Sequence, residues 1–246
     1  MFTFVFQGHF NRNYGYWSTE EMWLAALATS LLLFLSVLAH ELSHSLVAMR
    51  QGIPVRGITL FAFGGVAHIG KEAEKPSAEF IMAVVGPLSS VARGFLFVGL
   101  ALRLDGVSVH LAAIAGIVGS TNIVLGVFNM LPGFPMDGGR VLRTAVWRIT
   151  RNYWRATRIA TMVGQAIAFA LMGGGTAMLI LDMGSWVQGV LWVGLGIFLQ
   201  SIASASQRQS RLREVLSSYK VRDLIATDYP VAPVNVDLRE LVEEYM

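Results

Sequence analysis

The chain has 246 residues, of which 54% are hydrophobic and only 14% charged. A soluble domain carries roughly 25% charged residues, so this chain lacks the polar surface to face water on every side. It contains no cysteine, which excludes disulfides, thiolate metal ligands and a cysteine nucleophile, and its net charge of +3 says less than where the basic residues sit.

Taken in chain order, Met1 to Tyr16 lacks the basic start, apolar run and small-residue cleavage site of a signal peptide, and none is expected. Apolar blocks at about Glu21–Met49, Ala78–Leu104, Val109–Met130, Ile159–Leu181 and Trp186–Ala205 are each long enough to cross the hydrocarbon as a helix. Pro76 with Ser77 marks a start for the second block, and Ser185 is a candidate cap for the fifth. Trp17, Trp23, Trp147, Trp154 and Trp186 fall near block ends, where amphipathic rings favour the membrane interface. Gly173–Gly175 and the glycines of 189–196 suit close helix packing in lipid. The predicted fold class is an α-helical polytopic membrane protein with about five to six spanning helices.

Two stretches do not fit as helices. GITLFAFGGVAHIG at Gly57–Gly70 is short, β-branched and interrupted by Gly64–Gly65, which predicts a strand or hairpin returning towards the membrane. LPGFPMDGG at Leu131–Gly139 holds two prolines and three glycines, so a broken backbone is expected at the end of the third block. After Ala205 the composition changes. The expected division is a membrane domain over 1–206, a basic linker over 207–219 and a soluble segment over 220–246.

Orientation follows from Lys and Arg. If the first block runs from outside to inside, the connections around Arg50–Lys75, Arg140–Arg158 and Arg208–Arg239 share one side and hold 16 of the 19 basic residues. The positive-inside rule makes that side cytoplasmic and predicts a multi-pass protein of the cell (plasma or inner) membrane. His9 and His110 then fall on the opposite side, as surface residues. Arg93 lies mid-helix, where a charge is costly, and is expected to snorkel or pair; the sequence alone gives no functional account of it. The Arg140–Arg158 cluster is better explained by topology and lipid headgroups than by nucleic acid.

The chemistry centres on His40-Glu41-Leu42-Ser43-His44, an H-E-x-x-H pattern inside an apolar helical block. Residues four apart share a helix face, so both imidazoles can converge on one metal. Glu41, beside the first ligand, can reach a water on that metal and take its proton as general base. A chance match in a chain of this size is expected on the order of once in a hundred. A catalytic zinc keeps three protein ligands, and without cysteine the third must be His, Asp or Glu. Asp137 is the best candidate, at a depth similar to the two histidines; an Asp before Gly-Gly is otherwise a turn or cap residue. His68 is a second candidate, more often structural.

LAHELSHSLVA at Leu38–Ala48, NMLPGFPMDGGR at Asn129–Arg140, the intervening GITLFAFGGVAHI and AVVGPLSS at Ala83–Ser90 together resemble the site-2 protease family of intramembrane metalloproteases. The resemblance covers most of Leu31–Arg143. It implies that His40, His44 and Asp137 bind Zn2+, that Glu41 activates water, and that Asn129 and Pro135 help position substrate. It also implies that the segment from Ile58, Thr59, Leu60 and Phe61 to Gly64 and Gly65 is an edge strand that receives unwound substrate by strand addition. Asn129 has a simpler alternative use as a helix C-cap. The family commonly has one more spanning helix before the metal helix, so the start of this chain is expected to be clipped or shorter. The implied activity is zinc-dependent hydrolysis of a peptide bond in or near the spanning segment of a single-span membrane protein, within the lipid bilayer and without nucleic acid. A homo-oligomer is compatible with it.

Lys220-Val-Arg-Asp-Leu-Ile, Val231-Ala-Pro-Val and Leu238-Arg-Glu-Leu-Val resemble the opening of a cystathionine-β-synthase (CBS) type domain, of which about half is present. A complete domain of that type implies a nucleotide ligand. Two other functions are weighed: a membrane metal transporter or channel using the His and Asp residues, and an inactive scaffold. Glu41 next to His40 has no use in the first, and the full set of expected catalytic residues argues against the second.

Overall fold

The fold is set by long apolar helices whose ends are fixed by capping and by small residues at their crossings. A computed structural model of the chain describes residues 2–61, 64–69, 75–181 and 186–217, with Asp237 and Arg239. The order of elements is α1 (Phe2–Asn13), α2 (Thr19–Arg50), β1 (Val55–Phe61), β2 (Gly64–Ile69), α3 (Pro76–Leu104), α4 (Val109–Asn129), α5 (Asp137–Thr150), α6 (Tyr153–Ile180) and α7 (Trp186–Ser217). The chain divides into two units, Met1–Gln207 and Arg208–Met246. Among the described residues, five helices are long and apolar enough to cross a membrane: α2, α3, α4, α6 and, within α7, Trp186–Ala205. The chain is a multi-pass membrane protein, and the predicted helical class and block order hold.

Ser18 starts α2 with a capping box: its hydroxyl accepts from the Glu21 N–H at 3.2 Å and its own N–H donates to the Glu21 carboxylate at 2.7 Å. With 32 residues, α2 is about 48 Å long and exceeds the roughly 30 Å hydrocarbon core. Pro76 opens α3, as expected from the sequence. Helices α3 and α4 cross closely because Gly94, Gly119 and Gly126 have no side chain: a Cβ on any of them would overlap the other helix. Gly175, Gly189 and Gly196 do the same between α6 and α7, while Gly173 and Gly194 face open space.

Several expectations are corrected. Ahead of the first span, α1 is a short helix whose Phe10 packs with Trp17, Met22, Ala25, Ala26 and Ala113. Trp17, expected at the lipid interface, is buried in that cluster between Tyr14 and His110. His110 is not a plain surface residue either: it stacks on Trp17 at 4.1 Å and pairs with Glu21 at 3.4 Å. The Arg140–Arg158 connection is largely helical, occupied by α5 and the first turns of α6. Its apolar residues lie on one face, so no continuous block marks it. Arg151, in the left-handed region (φ 52), ends α5, and the Asn152 side chain caps α6 by accepting from the Arg155 N–H.

Gly64 and Gly65 pair with Phe61 and Leu60 in an antiparallel hairpin, so they belong to a strand and not to a turn. A bulge between Val55 and Ile58 bends β1. Among the described residues this sheet has two strands, β1 and β2. Ser185 and nearly all of 218–246 lie outside the described residues, as do the side chains of Leu60, Phe61 and His68.

Candidate metal centre

The second half of α2 presents His40 and His44 one helical turn apart, both 4% exposed. Their Nε2 atoms approach to 3.2 Å. Asp137 Oδ2 stands 3.1 Å from the first and 3.2 Å from the second. Zinc bound by nitrogen and oxygen at about 2.0–2.1 Å in tetrahedral geometry holds its ligands about 3.3 Å apart. The three donor atoms are thus already spaced as zinc requires, and two imidazoles with a carboxylate form a donor set typical of that ion. These three residues form a cluster able to hold a metal among the described residues.

Each imidazole is fixed from behind. His44 Nδ1 donates to the Met82 carbonyl at 2.5 Å, which leaves its Nε2 free to bind a metal. His40 Nδ1 meets the Ser90 hydroxyl at 2.9 Å. Both partners lie on α3, around Gly86 and Pro87. Pro87 has no N–H, so the Ala83 carbonyl loses its helical donor. Gly86 has no side chain, and a Cβ there would overlap both rings. Ser43 of α2 reaches Ser89 at 3.1 Å, and Ser89 bonds back to the Gly86 carbonyl at 2.7 Å.

Asp137 is the first residue of α5, after an irregular segment, Leu131–Met136. The glycines that looked like helix breakers permit close backbone approach instead. A Cβ on Gly138 would overlap the Met130 and Leu131 backbone, and one on Gly139 the Gly133–Phe134 backbone. On α6, a Cβ on Gly164 would overlap the Phe134 backbone, and the Phe134 N–H donates to the Ala160 carbonyl at 3.2 Å. Helix α5 is held to α3 by charge: buried Glu79 of α3 receives Arg143 and, at 3.7 Å, Arg140. The Arg143 guanidinium also lies over the rings of Phe134 and Tyr153, at 5.0 and 4.8 Å from their centroids. Burial pushes the Asp137 carboxyl up, but hydrogen bonding and charge from the two imidazoles more than offset this and hold it well below the usual carboxylate range.

Glu41 is half-buried on α2 and interacts electrostatically with both histidines, Asp137 and Arg140, without joining the converging trio. Asn129 ends α4 and turns its amide onto its own helix, donating to the Leu125 carbonyl at 3.0 Å. Pro135 is half-buried, two residues before Asp137, in a cis peptide with Phe134. Ile58 and Thr59 lie in β1, and the hairpin packs beside α2. Sequence reasoning missed Glu79, Arg143, Gly164 and the part played by Ser90. The one visible hint was Glu79, a carboxylate at the start of an apolar block.

Residues 28–118 and 105–171 match peptidase family M50, over more than half of the chain. The chain belongs to peptidase family M50. Among similar proteins, sll0528 of Synechocystis sp., which bears a zinc metalloprotease name, is 39% identical over 91% of this chain and 58% of its own length. The zinc metalloprotease MJ0392 of Methanocaldococcus jannaschii is 28% identical over 88% of this chain and 59% of its own length. The chain thus spans less than two thirds of these curated relatives. The solved site-2 protease from Methanocaldococcus jannaschii superposes with a TM-score of 0.57 at 25% identity, covering 83% of this chain and 86% of that one. The M50 match takes in α2, α3 and α4, α5 and much of α6, the helices that build the metal centre.

Proposed function

We propose that this chain is an intramembrane zinc metalloprotease of the site-2 type, cutting a single-span membrane protein in or near its spanning segment. It would act in the plasma or inner membrane from the cytoplasmic side, towards which the positive-inside rule turns the metal centre. One observation carries this: three donors from α2 and α5 meet at tetrahedral spacing, with Glu41 beside the first of them on the same helix.

His40, His44 and Asp137 would hold Zn2+, which when bound supplies a Lewis acid for a peptide carbonyl and acidifies water. Glu41 is the general base that takes the proton of the attacking water. The neighbouring spans exclude lipid and bulk water from the buried imidazoles. Asn129 and Pro135, in the stretch of chain leading to Asp137, would orient the scissile segment. The hairpin would receive by strand addition a substrate that has lost its helical hydrogen bonds, along Ile58, Thr59, Leu60 and Phe61 with Gly64 and Gly65 opposite. Residues 207–219 would link this domain to a CBS-type regulatory segment over 220–246.

The test is cleavage of a panel of tagged single-span reporters by detergent-purified protein. Wild type should release a fragment that chelator abolishes and that Glu41→Gln does not produce. A fragment made equally by Glu41→Gln overturns the assignment.

A further inference from the structure

Arg93 lies in the middle of spanning helix α3, where a charged side chain is costly unless it has a purpose. Its Nη2 donates to two oxygens, the Ser90 hydroxyl and the Ser36 carbonyl, each at 3.2 Å. Both lead to His40. Ser90, fully buried, touches His40 Nδ1 at 2.9 Å. Ser36 lies one turn before His40 on α2, so its carbonyl occupies the acceptor position for the His40 backbone N–H. A guanidinium can only donate, so Arg93 takes a lone pair of Ser90 and fixes where that oxygen sits. Behind them, buried Asn122 of α4 donates to the Ser36 hydroxyl at 3.0 Å. Three helices therefore meet at the back of one imidazole.

We propose that Ser90 and Arg93 are positioning residues of the metal centre. Ser90 holds the His40 ring by Nδ1 so that Nε2 faces the metal, and Arg93 locks both Ser90 and the turn of α2 that carries the histidine. This rests on the zinc reading above. The two histidines are supported differently: His44 leans on a main-chain carbonyl, His40 on a side chain. The centre is thus open to adjustment through Ser90 in a way that it is not through Met82. Asn122 belongs to the same polar chain but touches neither Ser90 nor His40 in it, and serves to join the helices.

The experiment compares the detergent-purified full chain with Ser90→Ala, Arg93→Met, Arg93→Lys and Asn122→Ala. Zinc affinity is read by competition with a graded chelator, coordination by the visible spectrum of the cobalt-substituted protein, and packing by thermal unfolding without metal. Loss of a partner that orients a metal-binding histidine costs about 10–100-fold in metal affinity. Ser90→Ala and Arg93→Met should fall in that range with an altered cobalt spectrum. Arg93→Lys, which keeps a cationic donor, should recover part of the loss. Asn122→Ala should unfold earlier yet bind zinc as wild type does. Ser90→Ala removes a single oxygen and preserves helix propensity, which keeps the comparison valid if an Arg93 variant fails to fold. Wild-type zinc affinity and spectrum in Ser90→Ala would overturn the inference and leave the metal centre standing. Failure of the wild type to take up zinc would overturn the zinc reading, and this inference with it.

Discussion

Gly86 lies directly against the imidazole of His44, so a methyl group added there would overlap Nε2 and Cε1 of the ring, and Nε2 of His40 as well. The two histidines of the candidate metal centre therefore rest on the bare backbone of α3. Gly86→Ala should displace both rings and lower zinc affinity on the order of 10-fold or more, while α3, in which alanine is a better helix former, still folds. Zinc retained per chain after dialysis against a weak chelator checks this.

Removing a ligand should act more severely than crowding one. Wild type is expected to carry about one zinc per chain, and His44→Ala and Asp137→Ala to lose it. Metal analysis of the purified proteins decides. Zinc kept by Asp137→Ala would move the third ligand elsewhere, with His68 the next residue to test.

Glu41→Gln should separate metal binding from chemistry. The side chain lies outside the converging trio, so zinc content should stay at the wild-type level. Cleavage should fall by about 10²–10⁴-fold, the usual contribution of a general base. The pair of measurements is metal analysis and fragment release from the same preparation.

Glu79 anchors the helix that carries Asp137. It is 1% exposed and pairs with Arg143 and Arg140, so Glu79→Ala would remove a buried carboxylate that both cations share. Breaking a buried pair from one side costs about 3–5 kcal/mol. Thermal unfolding in detergent should shift down accordingly, and zinc affinity should fall with it because α5 loses its hold on α3.

Gly164→Val tests whether α6 shapes the centre from a distance. The added side chain would strike the Phe134 backbone and push on the segment that leads into Asp137. Weaker zinc binding is expected although residue 164 is no ligand. The same substitution at Gly173, which faces open space on the same helix, should leave zinc binding unchanged.

Much of this molecule was legible without coordinates. Uninterrupted apolar blocks fix the spanning helices because the hydrocarbon has a set thickness and tolerates no unpaired backbone. H-E-x-x-H points to two ligands and a base because a helix repeats every 3.6 residues, which puts His40 and His44 on one face. Asp137 could be chosen because few residue types can complete such a set. The amphipathic α5 was less visible, since its apolar residues form a stripe and not a block. Likewise Gly138 and Gly139 suggested a broken backbone, whereas their use is close approach.

What only the tertiary structure decided is how distant parts of the chain press on that pair of histidines. Gly86, Ser90 and Arg93 lie some fifty residues from His40, and nothing in local spacing says that their helix will lie behind its ring. Arg93 read as a costly charge with no functional account, yet in the folded protein it reaches the Ser90 hydroxyl and the Ser36 carbonyl. Glu79 and Gly164 likewise acquire their parts only when α3 and α6 close around α5. Spacing along one helix follows from the geometry of that helix, and the sequence carries it openly. Contacts between helices depend on which faces meet, and that is settled only when all of them pack at once.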